Sequence, residues 1–139
     1  LGRSCVHLEY RSGIILKLLW QGISQYIKIY KIKILMGCAS FNGTNPSKFK
    51  DEFSLLYKSY RLPKSYNVKS LQDNEISSGI NIKQSTILNR MPPLIKGYLK
   101  AGGMVSENFY IDKEFETIDY CVIMLTEKIV SRYQNKFLN

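Results

Sequence analysis

Cysteine and histidine are scarce in this sequence. Three cysteines, Cys5, Cys38 and Cys121, and a single histidine, His7, are scattered over 139 residues with no C-x-x-C pair. That spacing argues against a structural zinc site, which needs several thiolate or imidazole ligands close together. An odd number of distant cysteines reads as reduced, mostly buried small side chains, not as a disulfide framework. Acidic residues are also few, 11 against 20 Lys and Arg, which leaves a net charge of +9. Long apolar runs are missing as well. The most apolar stretch, Gly13 to Gly37, is broken by Lys17, Gln21, Lys28, Lys31 and Lys33, so no uncharged run of roughly 18 residues is present to cross a bilayer as a helix. Internal repeats and low-complexity tracts are absent.

What is present is an ordinary globular composition. With 45% hydrophobic and 22% charged residues, the chain has too much apolar content for wholesale disorder. Its length suits a single domain of 1–139 with one hydrophobic core. The sequence opens on Leu1, not Met, almost inside a strand-like run. This creates the expectation that an upstream portion of the same domain precedes it. The basic excess comes from 15 Lys and only 5 Arg. It either attracts an acidic partner or reflects a composition drifting toward Lys, Ile and Asn codons.

Apolar periodicity divides the chain into elements. Ser4 to Leu8 reads as a strand, followed by a tight loop from Glu9 to Gly13. Ile14, Ile15, Leu18, Leu19, Ile23, Tyr26, Ile27 and Tyr30 recur at the spacing of one helical face. Ile32 to Phe41 is apolar on both faces and predicts a central strand covered by helices. Strand, helix and strand together predict a βαβ unit. Asn45 suits an N-cap and Pro46 the first turn of a helix carrying Phe49, Phe53, Leu56, Tyr57 and Tyr60, which ends before Arg61-Leu62-Pro63. Pro63 to Ser85 is polar and predicts a long loop with one strand near Glu75 to Ile80. Pro92-Pro93 open a short helix stopped by Gly102-Gly103. Thr117 to Leu125 reads as a buried strand, and Thr126 can cap a last helix bearing Ile129, Val130, Tyr133 and Phe137.

A loop with Arg11 and Gly13 between a strand and a helix is one common way to hold a phosphate, through loop amides and the positive helix end. It is also a routine turn. Several blocks in order resemble one family. They are Leu1-Gly2-Arg3-Ser4-Cys5-Val6, Glu9-Tyr10-Arg11, Leu18-Leu19-Trp20-Gln21-Gly22-Ile23, Gly37-Cys38-Ala39-Ser40-Phe41 with Gly43-Thr44, and Pro92-Pro93-Leu94-Ile95-Lys96-Gly97-Tyr98-Leu99. Gly102, Asp112, Phe115, Thr117, Asp119 and Arg132-Tyr133 follow in the same sequence. The pattern is similar to the ornithine lipid synthesis N-acyltransferases, the hemolysin-like branch of the GNAT superfamily. It covers most of the chain outside Pro63 to Ser85, and it matches the C-terminal part of that family.

The resemblance implies an α/β fold of the GNAT-like acyltransferase type, an α+β mixed sheet, with its N-terminal portion missing. It implies transfer of a 3-hydroxyacyl group from acyl carrier protein to the α-amine of L-ornithine, giving lyso-ornithine lipid. The donor would be an acyl-phosphopantetheine on acyl carrier protein, with acyl-CoA as the variant. No cofactor would be permanently bound, and no metal. The catalytic region would be Arg3, Ser4, Cys5, Val6 and His7, where backbone amides of Ser4 to Val6 face the thioester carbonyl. Arg11, Ser12, Gly13 and Ile14 would hold the phosphate, and Ser40 and Phe41 would line the far side of the pantetheine gap. The loop departs from the wider superfamily's Arg/Gln-x-x-Gly-x-Gly/Ala because Gly13 stands at the third position. One phosphate of a carrier-borne arm is what such a loop can hold.

Lys96, Tyr98, Asp112 and Asp119 are the candidate acceptor residues. Each residue also has a plainer reading. Arg3 can pair with a Glu of the scaffold, His7 can be structural instead of a base, and Asp112 and Asp119 can cap or form salt bridges. Tyr98 can be core with its hydroxyl satisfied. Trp20 is packing, and Cys5 and Cys38 are structural, since direct amine attack needs no thiol nucleophile. Cytoplasmic location follows, with peripheral contact at the inner membrane face. A related enzyme with another amine acceptor, a non-catalytic basic module or remnant, and a membrane-surface module are the alternatives. No nucleic-acid partner is expected, since no helix-turn-helix, RNP or zinc pattern is legible.

Overall fold

The computed structural model describes residues 5–11, 13–74, 76 and 82–129. The elements run α1 (Gly13–Tyr30), β1 (Ile34–Asn42), α2 (Lys50–Leu55), α3 (Gln84–Arg90), α4 (Pro93–Lys100), β2 (Met104–Val105), β3 (Tyr110–Asp112) and β4 (Thr117–Leu125). β4 is the centre of the sheet, with β1 on one side and β2 and β3 on the other, every pair antiparallel. The one parallel contact among the described residues is an isolated bridge between Arg61 and Val105. Helices on one face of an antiparallel sheet make an α+β arrangement that fits the GNAT-like expectation.

Alternation along β4 explains the layering. Ile118, Tyr120, Val122 and Met124 are buried, and across the ladder Ala39 and Phe41 of β1 join them. Phe53 and Leu56 of the α2 region, Ile87 of α3, and Ile95 and Leu99 of α4 complete this core. Four rings pack around Phe53, with centroids 4.8 Å away for Phe109, 5.1 Å for Phe41, 5.4 Å for Tyr120 and 5.7 Å for Phe49.

Local chemistry sets the ends of the elements. The Asn45 side chain accepts from the Ser47 amide at 3.0 Å and Pro46 opens a 3-10 turn, which leads into α2 and then a π-helical turn over Leu56–Tyr60. Arg90 of α3 reaches Asp51 at 2.9 Å and the buried Glu52 at 3.2 Å, tying α3 to α2. α4 stops as the glycines predict. The Gly103 amide donates to the Tyr98 carbonyl at 2.8 Å, and Gly102 takes a φ of 95°. A Cβ on Gly103 would stand 2.8 Å from that same carbonyl oxygen, so the close approach itself requires glycine.

Six expectations are corrected. Residues 5–7 are not a strand and Leu8–Tyr10 is a 3-10 turn, because no neighbouring strand among the described residues offers this segment a ladder. Among the described residues the βαβ unit is therefore not formed. β1 is an edge strand among the described residues, with Ile34 and Met36 exposed, not a central one. Of the α1 stripe, Ile27 is buried and Trp20 packs against the core with its ring edge-on to Tyr98, while Ile14, Leu18, Leu19, Tyr26 and Tyr30 are exposed. Cys5 and Cys38 are exposed and Cys121 is intermediate, so the cysteines are free thiols but not buried ones. α3 lies inside what the sequence reads as loop and its aftermath, carried by Ile87 and Met91, too few apolar positions to show a period. The strand near Glu75 to Ile80, Ile76 apart, and the last helix beyond Ile129 lie outside the described residues.

The Tyr120 hydroxyl is buried with no hydrogen-bond partner among the described residues, and burial pushes its pKa well above the usual phenol value. Tyr120→Phe is expected to leave stability unchanged or to raise it by up to about 1 kcal/mol, since an unpaired buried hydroxyl contributes only its desolvation cost. The urea midpoint at constant m reads this. A loss of more than about 1 kcal/mol would show that the hydroxyl has a partner in solution.

Candidate active site

The face of the sheet turned away from the helices gathers several of the candidate residues. In antiparallel register, residues opposite one another share a face, so the pairing of β1 with β4 and of β4 with β3 builds rows across the strands. One row is Ser40, Asp119 and Tyr110. The next toward the turn is Asn42, Thr117 and Asp112, and the row on the other side opens with Cys38 and Cys121. Ser40, Cys38 and Asn42 are exposed and Asp119 is half-buried. Asp119 Oδ1 is itself enclosed and has no hydrogen-bond partner among the described residues. A carboxylate oxygen removed from water with no donor favours an incoming cation or N–H group, because charge-assisted bonds are stronger than neutral ones.

The outer edge of β1 adds a second feature. The Gly43 amide donates to the Glu116 carbonyl at 2.8 Å and the Thr126 amide to the Lys33 carbonyl at 3.0 Å. The ladder to β4 therefore uses the odd-numbered positions of β1. The backbone N–H and C=O of Met36, Cys38 and Ser40 point outward, where no strand pairs with them among the described residues. Such an edge accepts an extended chain carrying amides.

The structure brings some of the sequence candidates together and separates others. Ser40, Asp112 and Asp119 share the uncovered face. Asp112 also serves the β3–β4 turn, its Oδ1 accepting from the Glu114 and Phe115 amides, each at 2.9 Å. Phe41 points the opposite way and is fully buried among Phe49, Phe53 and Tyr120, so its side chain is core and cannot line a donor gap. Lys96 and Tyr98 lie on α4, which packs through Ile95 and Leu99 on the helix side of the sheet, away from the Asp119 row. Lys96 Nζ donates to the Asn89 carbonyl at 3.2 Å and Tyr98 packs on Trp20, roles that join helices.

Near the start of the chain, Cys5 and His7 are exposed and Val6 half-buried. The Arg11 Nε donates to the Val6 carbonyl at 3.0 Å and closes this loop on itself. His7 Nδ1 stands 3.9 Å from Glu9, both side chains in water. Gly13 and Ile14 open α1 and are exposed. Arg3, Ser4 and Ser12 lie outside the described residues. Sequence reasoning missed Tyr110 and the outward amides of β1. β3 is only three residues long and too short for an alternation signal, and an edge is a property of the neighbours.

Among the described residues no group of three or more His, Cys, Asp or Glu side chains is placed to hold a metal ion. On the uncovered face, burial raises the Cys121 thiol above its ordinary value, and the neighbouring Cys38 raises it further. No described helix is long and apolar enough to cross a membrane.

Comparison with known proteins supplies the rest. Over 137 residues the chain is 39% identical to the L-ornithine N(alpha)-acyltransferase of Brucella abortus (strain 2308), a match spanning 96% of this chain and 49% of that protein. Against the L-ornithine N(alpha)-acyltransferase of Rhizobium meliloti (strain 1021) it is 36% identical over 146 residues, 99% of this chain and 48% of that one. The protein of the same description from Rhodobacter capsulatus is 31% identical over 136 residues, 96% of this chain and 52% of its own length. The chain spans about half the length of the curated relatives it matches. The resemblance carried by the sequence blocks is thereby borne out. No protein-family model and no solved structure matches.

Proposed function

We propose that this chain supplies the later part of a GNAT-like N-acyltransferase that moves a 3-hydroxyacyl group from acyl carrier protein to the α-amine of L-ornithine. Its similarity to acyltransferases named for that acceptor supports the reading. The observation that carries it is the enclosed, unpartnered Asp119 oxygen beside Ser40, next to an open strand edge. An ornithine side-chain ammonium supplies the cation that Asp119 lacks. A pantetheine arm, which contains two amide groups, supplies donors and acceptors for the outward backbone groups of Cys38 and Ser40.

In this mechanism the free α-amine attacks the thioester carbonyl carbon. The C–N bond forms, the C–S bond breaks, and the thiol of the carrier's arm leaves with the proton lost by the amine. No acyl-enzyme is needed, and rate comes from holding the amine and thioester in line. Amides of the Cys5–Val6 segment would face the carbonyl oxygen, and Arg11 with the amides at Gly13 and Ile14 would hold the phosphate. His7 lies in the same segment and is the candidate base. The assay is to incubate the full-length gene product with 3-hydroxyacyl carrier protein and ornithine. Thiol release with an N-acylated product is expected, and no release with any amino-acid acceptor overturns the reading.

Acyl carrier proteins are strongly acidic, so the +9 charge of this chain favours their encounter. The dissociation constant for the carrier is expected to weaken roughly tenfold between about 50 and 200 mM salt. A constant that does not change over that range removes the electrostatic part of the proposal.

A further inference from the structure

Cys38 of β1 and Cys121 of β4 stand directly opposite one another in the ladder. Two sets of backbone bonds identify the kind of pair they form. The bonds at Gly43 and Thr126 assign the β1–β4 hydrogen bonds to odd-numbered β1 positions, which leaves Cys38 between them. Independently, the Cys121 amide donates to Ser106 Oγ at 3.1 Å and its carbonyl accepts from the Ser106 amide at 2.8 Å, both on the side away from β1. Cys38 and Cys121 are thus a non-hydrogen-bonded antiparallel pair, in which the Cα atoms sit about 4.5 Å apart. A disulfide spans Cα separations of about 4.4–6.8 Å. Both side chains leave the sheet on the same uncovered face, Cys38 exposed and Cys121 half-buried.

We propose that Cys38 and Cys121 form a redox-active dithiol, a modification site that closes to a cross-strand disulfide when the protein meets a low-molecular-weight disulfide. The exposed Cys38 thiolate attacks the small disulfide, forming a mixed disulfide and expelling one small thiol. Cys121 then attacks the Cys38 sulfur, the cross-strand S–S bond forms, and the second small thiol leaves. Two protein thiols are oxidised and one small disulfide is reduced to two thiols. Cys38 is the first to react because it is exposed. Cys121 is the resolving thiol because its neighbour's sulfur is the electrophile within reach and partial burial shields it from outside reagents. The bond would tie the edge strand to the central one beside the Ser40–Asp119 row. The site does not depend on the acyl-transfer reading.

The test is to treat the full-length gene product with excess oxidised glutathione at mildly alkaline pH, block remaining thiols with iodoacetamide, and digest without reductant. The expected product is a Cys38 peptide linked to a Cys121 peptide, lighter than the separate peptides by two hydrogen atoms, with Cys5 alkylated or glutathionylated. Cys38→Ser and Cys121→Ser should each abolish the linked peptide, and Cys121→Ser should leave a persistent glutathione adduct on Cys38. Cys5→Ser should keep the link. Oxidation should raise the melting temperature of wild type, since the bond closes a long loop, and should not raise it in Cys38→Ser or Cys121→Ser. Recovery of Cys38 and Cys121 as separately blocked peptides, or linked to Cys5 instead of each other, overturns the proposal.

Discussion

Asp119→Asn in the full-length gene product is expected to raise the KM for ornithine roughly 10- to 100-fold while kcat changes little, the result of exchanging the proposed charge-assisted bond for a neutral one. Asparagine keeps the shape of the side chain, so the change is confined to charge. The structure also supplies a control. Among the described residues Asp119 Oδ1 has no hydrogen-bond partner, so the same substitution should leave thermal stability intact. A carboxylate holding the fold together would behave the other way, with a lowered melting temperature and an unchanged KM. That outcome would remove Asp119 from the acceptor site. Titrating alternative acceptors against both forms adds a specificity readout. Amino acids without a side-chain ammonium should lose little between wild type and Asp119→Asn.

Phe53→Ala is expected to cost about 4 kcal/mol, within the range for truncating a buried aromatic side chain. Phe53 is 2% exposed and touches four rings contributed by β1, β4, the turn before α2 and the segment before β3. Removing it leaves a void that none of these can fill alone, because each is fixed by its own strand or turn. A loss of that size is a large fraction of the 5–15 kcal/mol typical of a whole domain, so the variant should be substantially unfolded at physiological temperature. Urea denaturation with circular dichroism reads the midpoint. A shift corresponding to less than about 1 kcal/mol would mean that the aromatic cluster is not the core.

Much of the architecture was legible in the sequence because it rests on local rules. The helix from Gly13 to Tyr30, the turn and helix after Asn45-Pro46, the stop at Gly102-Gly103 and the strand from Thr117 to Leu125 all follow from periodicity, capping and backbone conformation. Other features were not legible because they depend on distant neighbours. β1 reads as a central strand from its apolar content, yet the described residues place a partner on one side of it only. Residues 5–8 have strand-forming side chains, but a strand exists only when another strand accepts its hydrogen bonds, and none does so among the described residues. Lys96 and Tyr98 looked like site residues beside Asp112 and Asp119 in chain order, and the sheet stands between them because α4 packs on its helix face.

By itself the sequence determined the basic charge, the apolar and aromatic face of the helix after Pro46 and, through ordered blocks of residues, the likeness to L-ornithine N(alpha)-acyltransferases, from which the α+β fold was expected. All of these are written in residue type and spacing along one chain. Only the tertiary structure decided that Phe41 turns inward while Ser40 turns outward, that Asp119 keeps an unpaired oxygen, and that Cys38 meets Cys121. The reason is register. A shift of one residue in the pairing of β1 with β4 would move every side chain to the other face, and packing of Phe41 and Tyr120 into the core is what holds that pairing in place.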